Sequence, residues 1–267
     1  MAGPASSSNI HVGIEGLDKT YRLPHGQTVV ALSKLDLNIR RGEFVSVVGP
    51  SGCGKSTLLK CIAGIIGINS GTITVDGVPV MEPPDDMAVV FQRDVLLDWR
   101  SVIENILFPV EIKRLRKRDW IARAQQLLTM IGMPGYDDRQ PWELSGGQRQ
   151  RVAICRALIQ EPKLLLMDEP FGALDALTRD ELNLELQQIW MKSGKTILFI
   201  THSISEAVLL SDQVVVMGSN PGRILEIISI DLPRPRNLDL RETPEFGRYA
   251  KHIRRRFESL GFLKSVQ

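Results

Sequence analysis

Followed from its start, the chain changes its hydrophobic period several times, and each change marks an element. Over residues 10–40 the pattern predicts short strands at Ile10-His11-Val12-Gly13-Ile14, Thr28-Val29-Val30-Ala31-Leu32 and Leu35-Asp36-Leu37-Asn38-Ile39. The last alternates strictly, as a half-exposed antiparallel strand does. Arg41-Gly42 turns the chain into Phe44-Val45-Ser46-Val47-Val48, an apolar β-branched run, and a helix-compatible run follows at residues 58–63 after a glycine-rich link. After a break at 64–70, residues 71–80 predict a hairpin about Asp76-Gly77, and Met87-Ala88-Val89-Val90-Phe91 a short buried strand.

From residue 101 to 135 the period becomes helical. Asp119 is expected to cap a helix that places Trp120, Ala124, Leu127, Leu128 and Ile131 on one face, with Pro134-Gly135 as its stop. Strands and helices then alternate: a helix over 149–159, a strand at 164–167, a helix over 179–192 with Leu182, Leu186, Ile189 and Trp190 facing the core, and a strand at 196–200. Two more strands are expected at 213–217 and 223–230. Asp231-Leu232-Pro233-Arg234-Pro235-Arg236 reads as an extended, semi-rigid segment. A last helix over 244–260 packs Phe246, Tyr249, Ile253 and Phe257 on the body and shows a basic face of Arg248, Lys251, Arg254, Arg255 and Arg256 to solvent. The expected organisation is a disordered tail at 1–9, an αβ body over 10–230 with a helical part inserted at about 93–160, and a Pro/Arg-rich segment with its helix over 231–267.

Composition adds mainly exclusions. With 267 residues and 43% hydrophobic positions the chain can bury a sizeable core. A net charge of +2 gives no case for nucleic-acid binding or broad membrane adhesion. The basic run at Lys113, Arg114, Arg116, Lys117 and Arg118 reads as a solvated helix junction. Cys53, Cys61 and Cys155 fit neither a zinc site nor a disulfide framework, which suits a reducing cytoplasm. No apolar run approaches the roughly 18 residues of a membrane span, and the N-terminus lacks the build of a signal peptide.

The chemistry starts at Gly49-Pro50-Ser51-Gly52-Cys53-Gly54-Lys55-Ser56-Thr57, set between the predicted strand and helix. Its glycines let successive N–H groups and a helix N-terminus point at an anion, Lys55 supplies a charge for β and γ phosphates, and Ser56 can complete Mg²⁺ coordination. Gln92 follows a predicted core strand at the edge where α/β sheets bind ligands. In Leu144-Ser145-Gly146-Gly147-Gln148, Ser145 is a good N-cap, giving a second helix N-terminus able to take an anion. A plain cap explains the serine but not the Gly-Gly-Gln behind it. Asp168 and Glu169 end the apolar strand at 164–167 and suit a Mg²⁺ ligand and a general base, while His202 lies just past the strand at 196–200. Tyr21 is placed to stack on a purine or to fill a β layer.

Taken together, residues 49–57, 144–148 and 164–169 resemble the nucleotide-binding subunits of ATP-binding-cassette transporters, with every motif in the family's order. The resemblance implies a P-loop α/β fold with a mixed core sheet, an N-terminal antiparallel β layer and a helical signature subdomain. It implies that Tyr21 stacks on adenine, that Lys55, Ser56 and Asp168 serve phosphate and Mg²⁺, and that Gln92 holds metal and water. It further implies that Glu169 is the general base, that His202 contacts the γ-phosphate, that Ser145, Gly146, Gly147 and Gln148 close over the partner's nucleotide, and that Ala173-Leu174-Asp175 is the D-loop. ATP with Mg²⁺, a second copy of the chain, membrane-spanning permease subunits and an extracytoplasmic solute-binding protein follow as expected partners, at the cytoplasmic face of the inner membrane. Leu96-Leu97-Asp98-Trp99-Arg100-Ser101-Val102-Ile103-Glu104-Asn105 and the 231–236 segment look like importers of nitrate, sulfonates and taurine, and the short stretch after the last strand is expected to leave no room for an added regulatory domain. A soluble cassette ATPase of DNA repair or ribosome regulation is the competing class, but the chain shows neither a coiled-coil insertion nor a second cassette. A plain P-loop kinase or GTPase is disfavoured by the signature and by the lack of an Asn-Lys-x-Asp motif.

Overall fold

The computed structural model describes residues 9–259. Except for Asn9, the tail expected at 1–9 lies outside the described residues, as does Leu260 at the end of the expected final helix. Near the N-terminus, β1 (Ile10–Arg22) pairs antiparallel with β2 (Thr28–Arg40) and, on its other edge, with β4 (Ser70–Val75), which carries β5 (Val78–Pro79). The two strands expected at 28–32 and 35–39 are one strand. Lys34 takes a left-handed conformation at φ 44° and the pairing slips across Leu17 and Lys19, so a bulge absorbs Ser33-Lys34 without ending the ladder. Asp18 holds that bulge by accepting the Lys34 N–H at 3.0 Å.

The second sheet has the order β10, β9, β3, β8, β7, β6, formed by Arg223–Ser229, Gln213–Gly218, Phe44–Val48, Thr196–Ile200, Leu164–Asp168 and Met87–Val90. All neighbours are parallel except β10 with β9. Every residue of β3, β7 and β8 is buried, which is why those strands read as continuous apolar runs rather than alternating ones. One face is covered by α1 (Lys55–Ile62) and the antiparallel layer, whose Val12, Leu35 and Ile39 share a cluster with Leu58 and Leu166. The other carries α5 (Ala176–Ser193) and the inserted helices α2 (Val102–Ile112), α3 (Ile121–Met130) and α4 (Gly146–Leu158), with Ile106, Leu128 and Cys155 packed toward Leu165 and Phe199.

Asp119 does not cap α3. It sits in a 3-10 turn, Lys117–Asp119, the cap position falls to Trp120 with no side-chain bond, and the carboxylate lies 3.6 Å from Arg118. The helix also stops sooner than Pro134-Gly135, because Gly132 at φ 70° already reverses the chain after Met130. Beyond the sheets, α6 (Ile204–Leu210) and α7 (Pro244–Ser259) pack over β9, with Phe246, Ile253 and Phe257 buried. Arg248, Lys251, Arg254 and Arg255 face solvent, whereas Arg256 and His252 pair with Glu226 at 3.4 and 2.7 Å.

The 231–236 segment is less exposed than its composition suggests. Arg236 is 2% exposed, and its guanidinium donates to the carbonyls of Val208 and Ser211 at 2.8 Å, Leu232 at 3.0 Å, Ile230 at 3.1 Å and Leu209 at 3.2 Å. Three of these acceptors close the C-terminal end of α6, where the helix dipole favours a cation. Burial pulls Arg236 down to about 10, so it remains protonated at neutral pH. Arg234 stacks over Trp190 at 4.2 Å and pairs with Asp212 at 2.8 Å.

Candidate functional site

The C-terminal ends of β3, β7 and β8 lie side by side, and the residues just past them build the site. After β3 the chain curls through 49–54 and enters α1 with Gly54 as cap at φ 97°, a conformation that a side chain would strain. No side chain caps α1, so the first-turn N–H groups are directed outward at a helix N-terminus. Beneath the curl, Lys55 is buried, and its Nζ donates to the carbonyls of Gly49 at 3.0 Å and Pro50 at 3.2 Å. Cys53 turns its thiol into the core against Gly49, where burial raises its proton affinity.

Ser56 Oγ donates to Asp168 Oδ1 at 2.9 Å. Burial raises the proton affinity of Asp168, an effect that the bond from Ser56 opposes. Next along the chain, Glu169 is held with φ 46° at the strand end while its N–H bonds Ile200 O at 2.9 Å. Its Oε2 lies 3.2 Å from His202 Nδ1 and accepts a bond from Gln92 Nε2 at 3.4 Å, and Oε1 stands 3.7 Å from Lys55 Nζ. Three separate loops therefore deliver Gln92, Glu169 and His202 to one point. A cavity of about 410 Å³ joins that point to Ser51, Gly52 and Gly54 to Thr57, with Tyr21 at its rim. Tyr21 is 37% exposed, and its hydroxyl lies 3.5 Å from Thr57 Oγ1.

Ser145 to Gln148 stand elsewhere. Ser145, Gly147 and Gln148 line a different cavity, of about 420 Å³, with Arg151, Thr178 and Glu181. Ser145 Oγ accepts the Gln148 N–H, and Gln148 Oε1 accepts the Ser145 N–H at 2.9 Å, so a reciprocal capping box accounts for part of what the serine alone did not. A Cβ on Gly147 would come within 2.5 Å of Thr178 Cγ2, so α4 and α5 approach too closely there for any side chain. Asp175 caps α5 by accepting the Thr178 N–H at 3.0 Å, and such bonds hold its carboxyl below the usual range. One chain thus assembles the phosphate loop with Gln92, Glu169 and His202 and leaves Ser145 and its neighbours apart from them.

Several residues at the site escaped sequence reasoning. Val29, Val30 and Asn220 line the cavity beside Tyr21, yet exposed β-branched residues in a strand give no chemical signal. Past Gln92, Arg149 of α4 bonds Asp94 at 3.0 Å, and Arg156 donates to the carbonyls of Asp94 and Val95 at 2.6 and 2.7 Å. Their spacing of seven residues on one helix was the available clue.

A family model described as "ABC transporter" matches residues 32–172. The taurine import ATP-binding protein of Rhizobium johnstonii is 44% identical over 247 residues, covering 91% of this chain and 94% of the relative. The nitrate import ATP-binding protein of Synechococcus elongatus is 44% identical over 243 residues, 89% of this chain and 37% of the relative. Among solved structures, the dimeric post-hydrolysis state of an ATP-binding cassette with ADP and Pi superposes with a TM-score of 0.74 at 30% identity, over 83% of this chain and all of that one.

Proposed function

The chain belongs to the ABC transporter family as an ATP-hydrolysing subunit of solute import, and from that premise we propose how its residues divide the work. The observation that carries this reading is the meeting of Gln92, Glu169 and His202 at the phosphate loop, each from a different strand end. Gly49, Pro50, Ser51, Gly52, Cys53 and Gly54 cradle the phosphates with backbone N–H groups, Lys55 and Thr57 close the cradle, and Tyr21 stacks on the base. Glu169 accepts the proton of the attacking water, Gln92 orients that water, and His202 faces the γ-phosphate.

Among the described residues no group of three or more His, Cys, Asp or Glu side chains could hold a metal. The Ser56 hydroxyl bonded to Asp168, with Gln92 nearby, suits Mg²⁺. When bound, Mg²⁺ would neutralise charge on the β and γ phosphates.

Because Ser145, Gly146, Gly147, Gln148 and Asp175 stand apart from their own phosphate loop, a second copy facing head to tail supplies them to the nucleotide and buries it between two cassettes. No described helix is long and apolar enough to cross a membrane. Separate permease subunits form the path across it, and the chain sits on them at the cytoplasmic face. Their cytoplasmic segment docks in the 450 Å³ groove lined by Met87, Val89, Phe91, Val95, Phe108 and Arg156, beside the edge strand β6 and just past Gln92. The solute is taurine, another sulfonate, nitrate or a related small organic solute, delivered by an extracytoplasmic binding protein.

Isolation of the chain from native membranes in mild detergent is expected to recover a polytopic membrane protein; ribosomes or nucleic acid in its place would overturn the transport reading. The stacking role has its own test. Tyr21→Ala is expected to weaken ATP by about 1–2 kcal/mol, roughly tenfold, while inorganic triphosphate binds as before. Equal losses for both ligands would make Tyr21 structural.

A further inference from the structure

Two loops of the site lead into helices that meet: residues 169–175 run into α5, and residues 201–203 run into α6. Between them lies an ion pair, a buried glutamate with a half-buried arginine, that the chemistry above does not use. Arg179, one turn into α5, folds back so that Nη2 donates to Leu174 O at 2.6 Å and Nε to Phe171 O at 3.3 Å. The same Nε lies 3.6 Å from Glu206 Oε1 of α6. Glu206 is 5% exposed, and its Oε2 accepts a bond from Thr201 Oγ1 at 2.5 Å. Thr201 Oγ1 in turn accepts the Ser203 N–H at 2.9 Å, and the Thr201 N–H bonds Val47 O of β3 at 3.2 Å. Contacts therefore run unbroken from Leu174, next to Asp175, to Thr201, next to His202.

Glycine supplies the middle of the link. A Cβ on Gly172 would lie 3.6 Å from His202 Cε1 and 3.7 Å from Gln92 Nε2, so this loop rests against the two side chains that face Glu169. A buried carboxylate is costly in a helix whose Ala207, Val208, Leu209 and Leu210 already secure its packing. Burial raises the proton affinity of Glu206, while Thr201 and Arg179 oppose that effect. Its partners stabilise the charge and fix its direction.

We propose that Arg179 and Glu206 are positioning residues that make the 171–175 loop and the Thr201-His202 strand end shift as one unit. A partner cassette arriving at Asp175 then sets the orientation of His202 beside Glu169. The catalytic consequence rests on the ATPase reading above; the mechanical link does not.

Backbone hydrogen exchange on the full chain tests the link directly. In Glu206→Ala, exchange over 171–175 is expected to quicken about tenfold together with 201–206, because Glu206 pairs with Arg179, which bonds that loop. Should Glu206→Ala not fold, Arg179→Ala, whose side chain is about one-third exposed, gives the same comparison read at 201–206. In steady-state ATP turnover, either variant is expected to lose about tenfold or more in kcat with KM within about twofold, and the double variant is expected to be no slower than the slower single. Unchanged exchange in the remote loop, single losses that multiply in the double variant, or a KM that rises as kcat falls would each overturn the proposal. A wild-type chain that hydrolyses no ATP would defeat the ATPase reading, while the exchange result would still decide the link.

Discussion

Replacing Glu169 by glutamine is expected to reduce ATP turnover by about 10²- to 10⁴-fold, the range that a positioned general base contributes. The substitution is nearly isosteric, so the amide can still meet His202 and Gln92, which now contact Oε2 at 3.2 and 3.4 Å. It cannot take a proton. Nucleotide binding should persist, because Glu169 stands no nearer than 3.7 Å to the Lys55 ammonium, whose bonds to Gly49 and Pro50 do not involve it. Bound but unhydrolysed ATP should hold two cassettes together, so the variant should elute as a dimer with ATP and as a monomer without it. Turnover within about tenfold of wild type would remove Glu169 from the role of base.

Lys55→Ala should act one step earlier. Removing a cation from charge-assisted bonds to phosphate costs about 1.5–3 kcal/mol, or roughly ten- to a hundredfold in ATP affinity. The loop itself also loses the bonds that Nζ makes to Gly49 and Pro50, which brace the curl from below. Calorimetric titration with ATP measures the affinity, and thermal unfolding without nucleotide separates the bracing from the binding. Arginine should not restore affinity, since a planar fork cannot occupy the pocket of a compact ammonium that is 6% exposed. ATP bound as tightly by Lys55→Ala as by wild type would show that the loop grips phosphate without the lysine.

Much of the site was legible because its signals are local. The phosphate loop lies directly between a strand and a helix, and the strand at 196–200 matches β8 in full. Buried parallel strands announce themselves as apolar runs, and the residues at their C-terminal ends must sit at the sheet edge. The misreadings arose where local propensity lost to a partner far along the chain. Thr28 to Arg40 reads as two strands until Asp18 stabilises the bulge between them. Asp119 is a good cap by type, yet the 3-10 turn that delivers the chain to α3 leaves its side chain outside the cap position. Arg236 looks like a solvated member of a basic, proline-rich segment, and only α6 reveals the carbonyls it serves. The Arg179 to Glu206 link was illegible for the same reason, since both residues are ordinary helix positions until α5 and α6 are packed together.

The place of Arg236 bears on how the protein comes into being. During synthesis every strand of the core sheet has left the ribosome before residue 236 emerges, yet the end of α6 still has unmatched carbonyls. That helix begins two residues after His202, so the strand end that carries His202 leads into a helix whose last carbonyls meet their guanidinium only when the 231–236 segment appears. A ribosome stalled short of that point carries a chain with the whole core sheet and an α6 that still lacks its guanidinium cap.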